Sequence, residues 1–174
     1  DRRWRIEHAQ VVNKEDFPLF KQYGIIASVQ PTHATSDMYW ADERLGSDRI
    51  DGAYAYGNLL KQVGWIPLGT DFPVEQVSPF YTFFAAVART DKDGLPEGGF
   101  QYSNGLAREQ ALKGMTSWAA KASFQEKEIG ALKPGMFADF VVLDSDFINS
   151  DLHKLRNSTA VSVFVHGEEL KLGT

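Results

Sequence analysis

Two short segments constrain this chain more than any others: Arg5-Ile6-Glu7-His8-Ala9-Gln10 and Leu68-Gly69-Thr70-Asp71-Phe72-Pro73. Each reads as a short buried strand that ends in a polar residue where a loop begins. Between them strand and helix patterns alternate, which implies right-handed crossovers and a parallel sheet. In a parallel barrel the carboxyl ends of the strands form the floor of the active site. A His and an Asp delivered there from two nearby strands are the right types to hold a divalent metal and to handle a proton.

The pattern reads as follows. Residues 4–10 predict a strand. Asn13 predicts an N-cap, with Glu15 and Asp16 in the first turn, and the helix through Phe17, Leu19 and Phe20 stops at Gly24. Ile25 to Gln30 predicts a second strand, ended by Pro31. Thr32 to Gly46 reads as a long polar-aromatic loop. Ser47 caps a helix that runs to Gly64, and Trp65 to Thr70 is a third strand. Apolar runs, more than strict alternation, suit a sheet covered on both faces. Pro79 to Arg89 and Ala107 to Ser123 predict amphipathic helices around a Gly-rich loop over 91–105. From about residue 126 the character changes. Phe137 to Leu143 and Ala160 to Val165 alternate as antiparallel strands do, and a last short strand passes through Leu170 and Leu172. The expected fold class is therefore α/β, with residues 1–125 in one portion and 126–174 in a small β segment.

Composition narrows the function classes. The 174 residues are 43% hydrophobic and 24% charged, as in ordinary globular proteins. A net charge of −5 offers no large basic footprint for nucleic acid. Apolar runs are short and flanked by charges, so no membrane partner is expected. The absence of cysteine excludes disulfides, a thiolate nucleophile and Cys-based zinc or iron–sulfur sites. Gly98-Gly99 lacks the strand before it and the Lys-Ser/Thr after it that a phosphate loop needs, and Ser28 and Ser36 lack a nucleophile-elbow context. No signal peptide heads the chain and no starting Met is present, so a trimmed N-terminus is expected and the cytoplasm is the default compartment.

In order and spacing, residues 5–10, Ala27-Ser28-Val29-Gln30-Pro31-Thr32-His33-Ala34-Thr35-Ser36-Asp37 and Gly69-Thr70-Asp71-Phe72-Pro73-Val74-Glu75 resemble a branch of the metal-dependent amidohydrolase superfamily. That branch holds the N-substituted formamide deformylase-like and YtcJ-like proteins. Leu132-Lys133-Pro134-Gly135-Met136-Phe137-Ala138-Asp139-Phe140-Val141-Val142-Leu143-Asp144 is similar to the superfamily's segment that returns from the barrel to a β-sandwich. The resemblance implies the C-terminal part of a (β/α)8 TIM-type barrel: His8 ends strand six, Ile25 to Gln30 is strand seven and Asp71 ends strand eight. It implies hydrolysis of a non-peptide C–N bond, in an amide or N-substituted formamide, by a water activated at a divalent metal, zinc above all. His8 and Asp71 are then metal ligands, and Asp71 is the catalytic residue that takes the water's proton and returns it to the leaving amine.

Each residue has a plainer alternative. His8 can be a core imidazole bonded to backbone, and Asp71 an Asx-turn before Pro73. Glu7 points away from His8 as a packing or outer residue, and Glu75 is a solvated loop acid or an orienting group. Thr32, His33, Asp37, Tyr39 and Trp40 lie on the segment after strand seven, where barrels choose substrates, so Thr32, His33 and Trp40 are expected to bind substrate. His153 and His166 receive no chemistry.

By the family pattern the His-x-His pair of strand one and the ligands of strands four and five lie upstream, so the site is expected to be incomplete and the isolated chain inactive. Two ligands leave zinc short of the three or four it usually takes. A whole barrel takes about 250 residues. The expectation is a fragment in which the strands of His8 and Asp71 are exposed edges, and the inner faces at Ile6, Val29 and Leu68 lose their cover, so that these edges meet a second copy or the missing half of the barrel. A non-catalytic assembly module, or one half of a split enzyme, is the alternative.

Overall fold

A computed structural model describes residues 1–171. Strand β1 (Arg5–Glu7) lies parallel to β2 (Ile26–Ser28), pairing Arg5 with Ile26, Ile6 with Ala27 and Glu7 with Ser28. The crossover between them is helix α1 (Phe17–Tyr23), preceded by a 3₁₀ turn over Lys14–Asp16 and ended by Gly24 in the left-handed region, φ 62°. The expected third strand is reduced to a parallel bridge between Val29 and Leu68. Pro67 explains the reduction, since it accepts from Val29 N at 3.1 Å but has no N–H to extend the ladder. The order β1–β2–Leu68 is nevertheless that of three parallel neighbours.

The segment expected as a loop over 32–46 is helix α2 (Pro31–Leu45). Pro31 does not terminate a strand here so much as start a helix. At N1 its missing N–H costs nothing and its fixed φ suits the first turn. Burial is concentrated in that first turn, at residues 31–35.

The single helix expected over 47–63 is two: α3 (Ser47–Ile50) and α4 (Tyr56–Val63). The break lets the chain after β1 approach. Val12 N donates to Gly52 O at 3.0 Å, and a Cβ on Gly52 would lie 2.1 Å from Val12 O, so only glycine fits. Helix α5 (Pro79–Ala88) forms as expected. The helix expected over 107–123 divides at Thr116 into α6 (Arg108–Met115) and α7 (Ser117–Ala122).

The core runs through Val29, Tyr54, Tyr56, Leu59, Ile66 and Phe83. It also takes in Leu155, on the short α8 (Leu152–Leu155), and Phe147, whose ring stands 4.6 Å from that of Phe83. Arg108 Nη1 donates to the carbonyls of Phe147, Ile148 and Ser150. Part of the segment after residue 126 thus packs on the α/β layer. The rest is an antiparallel sheet in the order β3 (Phe140–Leu143), β4 (Ala160–Val165), β5 (Glu168–Leu170), with Phe140 stacked on Phe164 at 4.4 Å. Leu172, expected to end the last strand, lies outside the described residues.

The expectation that both barrel edges and the inner faces at Ile6, Val29 and Leu68 lie bare is corrected in part. Ile6 is 46% exposed, but Val29 is fully buried and Leu68 nearly so. Leu68 N donates to Gly114 O at 3.0 Å, so α6 covers this strand. No helix among the described residues is long and apolar enough to cross a membrane.

Candidate metal centre

Three side chains converge where the parallel segments end. His8 follows the last residue of β1, with its backbone in the left-handed region at φ 67°, followed by Ala9 at 40°. Asp71, three residues past the Leu68 bridge, has φ 60°. Such conformations are unfavourable for non-glycine residues and cluster at functional sites. His33 arrives from the first turn of α2, which is held from below: Tyr56 Oη donates to Gln30 O at 3.0 Å.

The donor atoms are close. His33 Nε2 lies 3.3 Å and His8 Nδ1 4.0 Å from Asp71 Oδ2. The two imidazoles stack, centroids 5.2 Å apart with 16° between planes. One ligand atom from each of His8, His33 and Asp71 falls within 4.8 Å of the others. Both ring nitrogens are buried and neither makes a hydrogen bond. A buried polar nitrogen without a partner costs about 1–3 kcal/mol, and two side by side call for a common partner.

A divalent cation fits that demand. Two imidazole nitrogens and a carboxylate are a typical three-residue zinc donor set, with ligands roughly 2.1 Å from the ion and hence about 3.4 Å from one another. The His33–Asp71 separation matches this spacing, and the His8–Asp71 separation is somewhat wider.

The other expected residues fall as follows. The Asp71 carboxylate caps no turn among the described residues; Thr70 Oγ1 accepts from Phe72 N instead. Thr32 is buried with its hydroxyl unpartnered, and it lines a cleft of about 330 Å³ between α2 and α5, with Ser36, Tyr39, Glu75, Phe84 and Thr90. Trp40 is half-exposed and lies outside that lining. Tyr39 donates to Asp91 across the mouth. Glu75 accepts from Ser36 Oγ at 2.7 Å, tying the loop after Asp71 to α2. Glu7 is exposed and pairs with Arg5 at 2.6 Å, so it neither packs in the core nor touches the cluster.

One buried group was not anticipated. Arg89 is wholly buried, with Nε donating to Phe100 O at 2.9 Å and its guanidinium 5.2 Å from the Tyr56 ring. Burial pulls its pKa down to about 10 and pushes the Tyr56 phenol up, so Tyr56 stays a protonated donor to Gln30. The joining of His33 to His8 and Asp71 was also missed. The available signal was Pro31 as a helix N1 residue, which puts His33 in a first turn.

Comparison with known proteins places the chain in a family. Protein LONG AFTER FAR-RED 3 of Arabidopsis thaliana is 33% identical over 175 residues, covering 98% of this chain and 29% of that protein. YtcJ of Bacillus subtilis is 32% identical over 142 residues, covering 82% of this chain and 27% of that protein. The chain therefore spans less than a third of the curated relatives it matches. The crystal structure of an uncharacterized metal-dependent hydrolase from Pyrococcus horikoshii OT3 superposes with a TM-score of 0.75 at 31% identity, covering 85% of this chain and 30% of that one. The model of the amidohydrolase family matches residues 1–170. By that match and by these relatives, the chain belongs to the amidohydrolase family.

Proposed function

We propose that the chain is the C-terminal portion of an amidohydrolase (β/α)8 barrel, bearing strands six to eight over residues 1–125 and part of a β-sandwich over 126–174. Its proposed reaction is hydrolysis of a non-peptide C–N bond in a small molecule, an amide or N-substituted formamide. The observation that carries this reading is the convergence of His8, His33 and Asp71, with two buried, unpartnered imidazole nitrogens, in a member of a hydrolase family.

His8, His33 and Asp71 would hold the ion. Zinc, when bound, would lower the pKa of a water towards roughly 7 and polarise the scissile carbonyl. Asp71 is the one carboxylate in the cluster. It accepts the proton that the attacking water loses and hands it to the leaving nitrogen, so the amine departs neutral. Thr32, beside His33, lines the neighbouring cleft in which the substrate would lie.

The outer edge of β1 carries no strand among the described residues, and Ile6 within β1 and Trp4 just before it are exposed. This favours association with a second copy or with polypeptide that supplies the preceding strands. Light scattering at micromolar concentration tests it; a compact monomer with full activity would refute it.

The catalytic reading is tested on zinc-loaded chain, alone and together with the preceding strands, against N-substituted formamides and simple amides. Asp71→Asn should lower the rate at least about 100-fold, the usual loss for a proton-transfer group, with the fold intact by circular dichroism. Wild-type rates in that variant would show that Asp71 is not the base.

A further inference from the structure

Gln10 and Asp37 belong to the same motifs as His8 and His33, yet neither touches the donor cluster through any contact described above. They touch each other. Gln10 Nε2 donates to Asp37 Oδ2 at 2.8 Å, and Tyr54 Oη donates to the same oxygen at 2.9 Å. Gln10 Nε2 also lies 3.2 Å from Tyr54 Oη, closing a triangle. The backbone repeats the link: Tyr54 N donates to Gln10 O at 2.7 Å, and Val11 bridges Ala53.

The spacing gives the triangle a purpose. Gln10 is two residues beyond His8 and Asp37 is four beyond His33. On a helix, positions i and i+4 share a face one turn apart. The Gln10–Asp37 bond therefore spans the two chain segments that carry the imidazoles, one turn above them. Tyr54 is buried at 1% exposure and holds an unfavourable φ of 51°, so a cost is accepted to aim this phenol at Asp37. The His8 backbone is itself left-handed and has no ladder partner, so nothing within β1 fixes the direction of its ring.

We propose that Asp37 is a positioning residue: with Gln10 and Tyr54 it clamps the turn after β1 to helix α2 and so sets the separation of the His8 and His33 rings. This inference rests on the metal-holding reading for its purpose, though not for its geometry. The required feature of Asp37 is an acceptor oxygen that takes two donors. Asparagine can supply that oxygen and alanine cannot.

The four histidines of the chain provide the test. In metal-free protein with ¹⁵N-labelled histidine, Asp37→Ala should shift or broaden the ring resonances of His8 and His33. Those of His153 and His166, in the C-terminal segment, should stay in place. Asp37→Asn should restore the wild-type positions. Four unchanged resonances would overturn the proposal, and four altered ones would too, because that pattern marks general loosening. Cobalt titration then addresses the purpose. Loss of a partner that orients ligands typically lowers metal affinity about 10–100-fold, and Asp37→Ala should fall in that range with an altered visible spectrum. Equal affinity and spectrum in Asp37→Ala and wild type would overturn the metal-positioning role. No cobalt uptake by wild type would instead refute the metal reading, while the histidine resonances still decide whether Asp37 sets the rings.

Discussion

Replacing His33 by alanine separates a three-donor metal centre from a two-donor one. In the wild-type chain the third donor is present: His33 Nε2 stands 3.3 Å from Asp71 Oδ2 with no hydrogen bond to lose. A ligand that binds only the folded state stabilises it by about 2.7 kcal/mol at a free concentration of roughly 100 times its dissociation constant. For a chain of this size each kcal/mol moves Tm by about 2–4 °C, so zinc at that level should raise Tm by about 5–11 °C. If losing one of three donors weakens binding about 100-fold, the same zinc concentration equals the new dissociation constant. Stabilisation then drops to about 0.4 kcal/mol, under about 2 °C.

The assay is thermal unfolding followed by circular dichroism, with zinc and with chelator, for wild type, His33→Ala and His153→Ala. Each protein is compared with its own metal-free Tm, because truncating a buried His changes the baseline. His153 lies on the exposed side of α8 and its variant should keep the full zinc shift. An equal zinc shift in His33→Ala and wild type would refute the assignment of His33 as a ligand. No shift in wild type would refute the centre as a whole.

Two further outcomes follow from packing and charge. Gly114→Ala places a Cβ 2.5 Å from Leu68 Cγ and 3.2 Å from Ile66 O, so it should cost about 1–3 kcal/mol by overpacking; an unchanged Tm would show that α6 can shift away from the Leu68 strand. Arg3 grips Glu126 at 2.6 Å and 2.8 Å, and this bond holds the Glu126 carboxyl down to about 2. Because its folded pKa is depressed, the contribution is present above the ordinary value of 4.5 and is lost as pH falls through about 2. Arg3→Ala should return Glu126 to the ordinary range in a carboxyl NMR titration, and a carboxyl still titrating near 2 would refute the assignment.

Much of the local structure was legible where one residue dictates one conformation. Gly24 ends α1 because the chain needs φ 62° there. The antiparallel β3–β4 pair forms where its two runs were read, although its register shifts between Val142 and Leu143 and its burial does not alternate strictly, and α5 follows its phenylalanine stripe. The failures also have local causes. Pro31 suits both the end of a strand and N1 of a helix, and only tertiary packing of residues 31–35 decides between them. Gly52 reads as one weak position inside a helix, yet its close approach to Val12 O breaks that helix. His8 and Asp71 were visible as strand-end residues. The third donor was not, because reading 32–46 as a loop left His33 without a direction. Gln10 and Asp37 sit 27 residues apart, and no sequence periodicity links a turn residue to one on a later helix.

The spacing of the sheet shows why the site needs its unfavourable backbone. Neighbouring strands lie roughly 4.8 Å apart. The segments bearing His8 and Asp71 are the outer two of three, separated by β2 and Val29, so their axes stand about 9.6 Å apart. That is too far for one ion to be reached by side chains standing upright on each strand. Yet His8 Nδ1 and Asp71 Oδ2 are 4.0 Å apart. Both residues have left-handed backbones, at φ 67° and 60°, beyond their paired segments. His33, rising from the middle segment on the first turn of α2, meets them. An extended backbone at either position would carry the chain on along its own strand and keep the donors a strand apart. The two left-handed turns thus coincide with the point at which the outer segments bring their donors together over the end of the sheet.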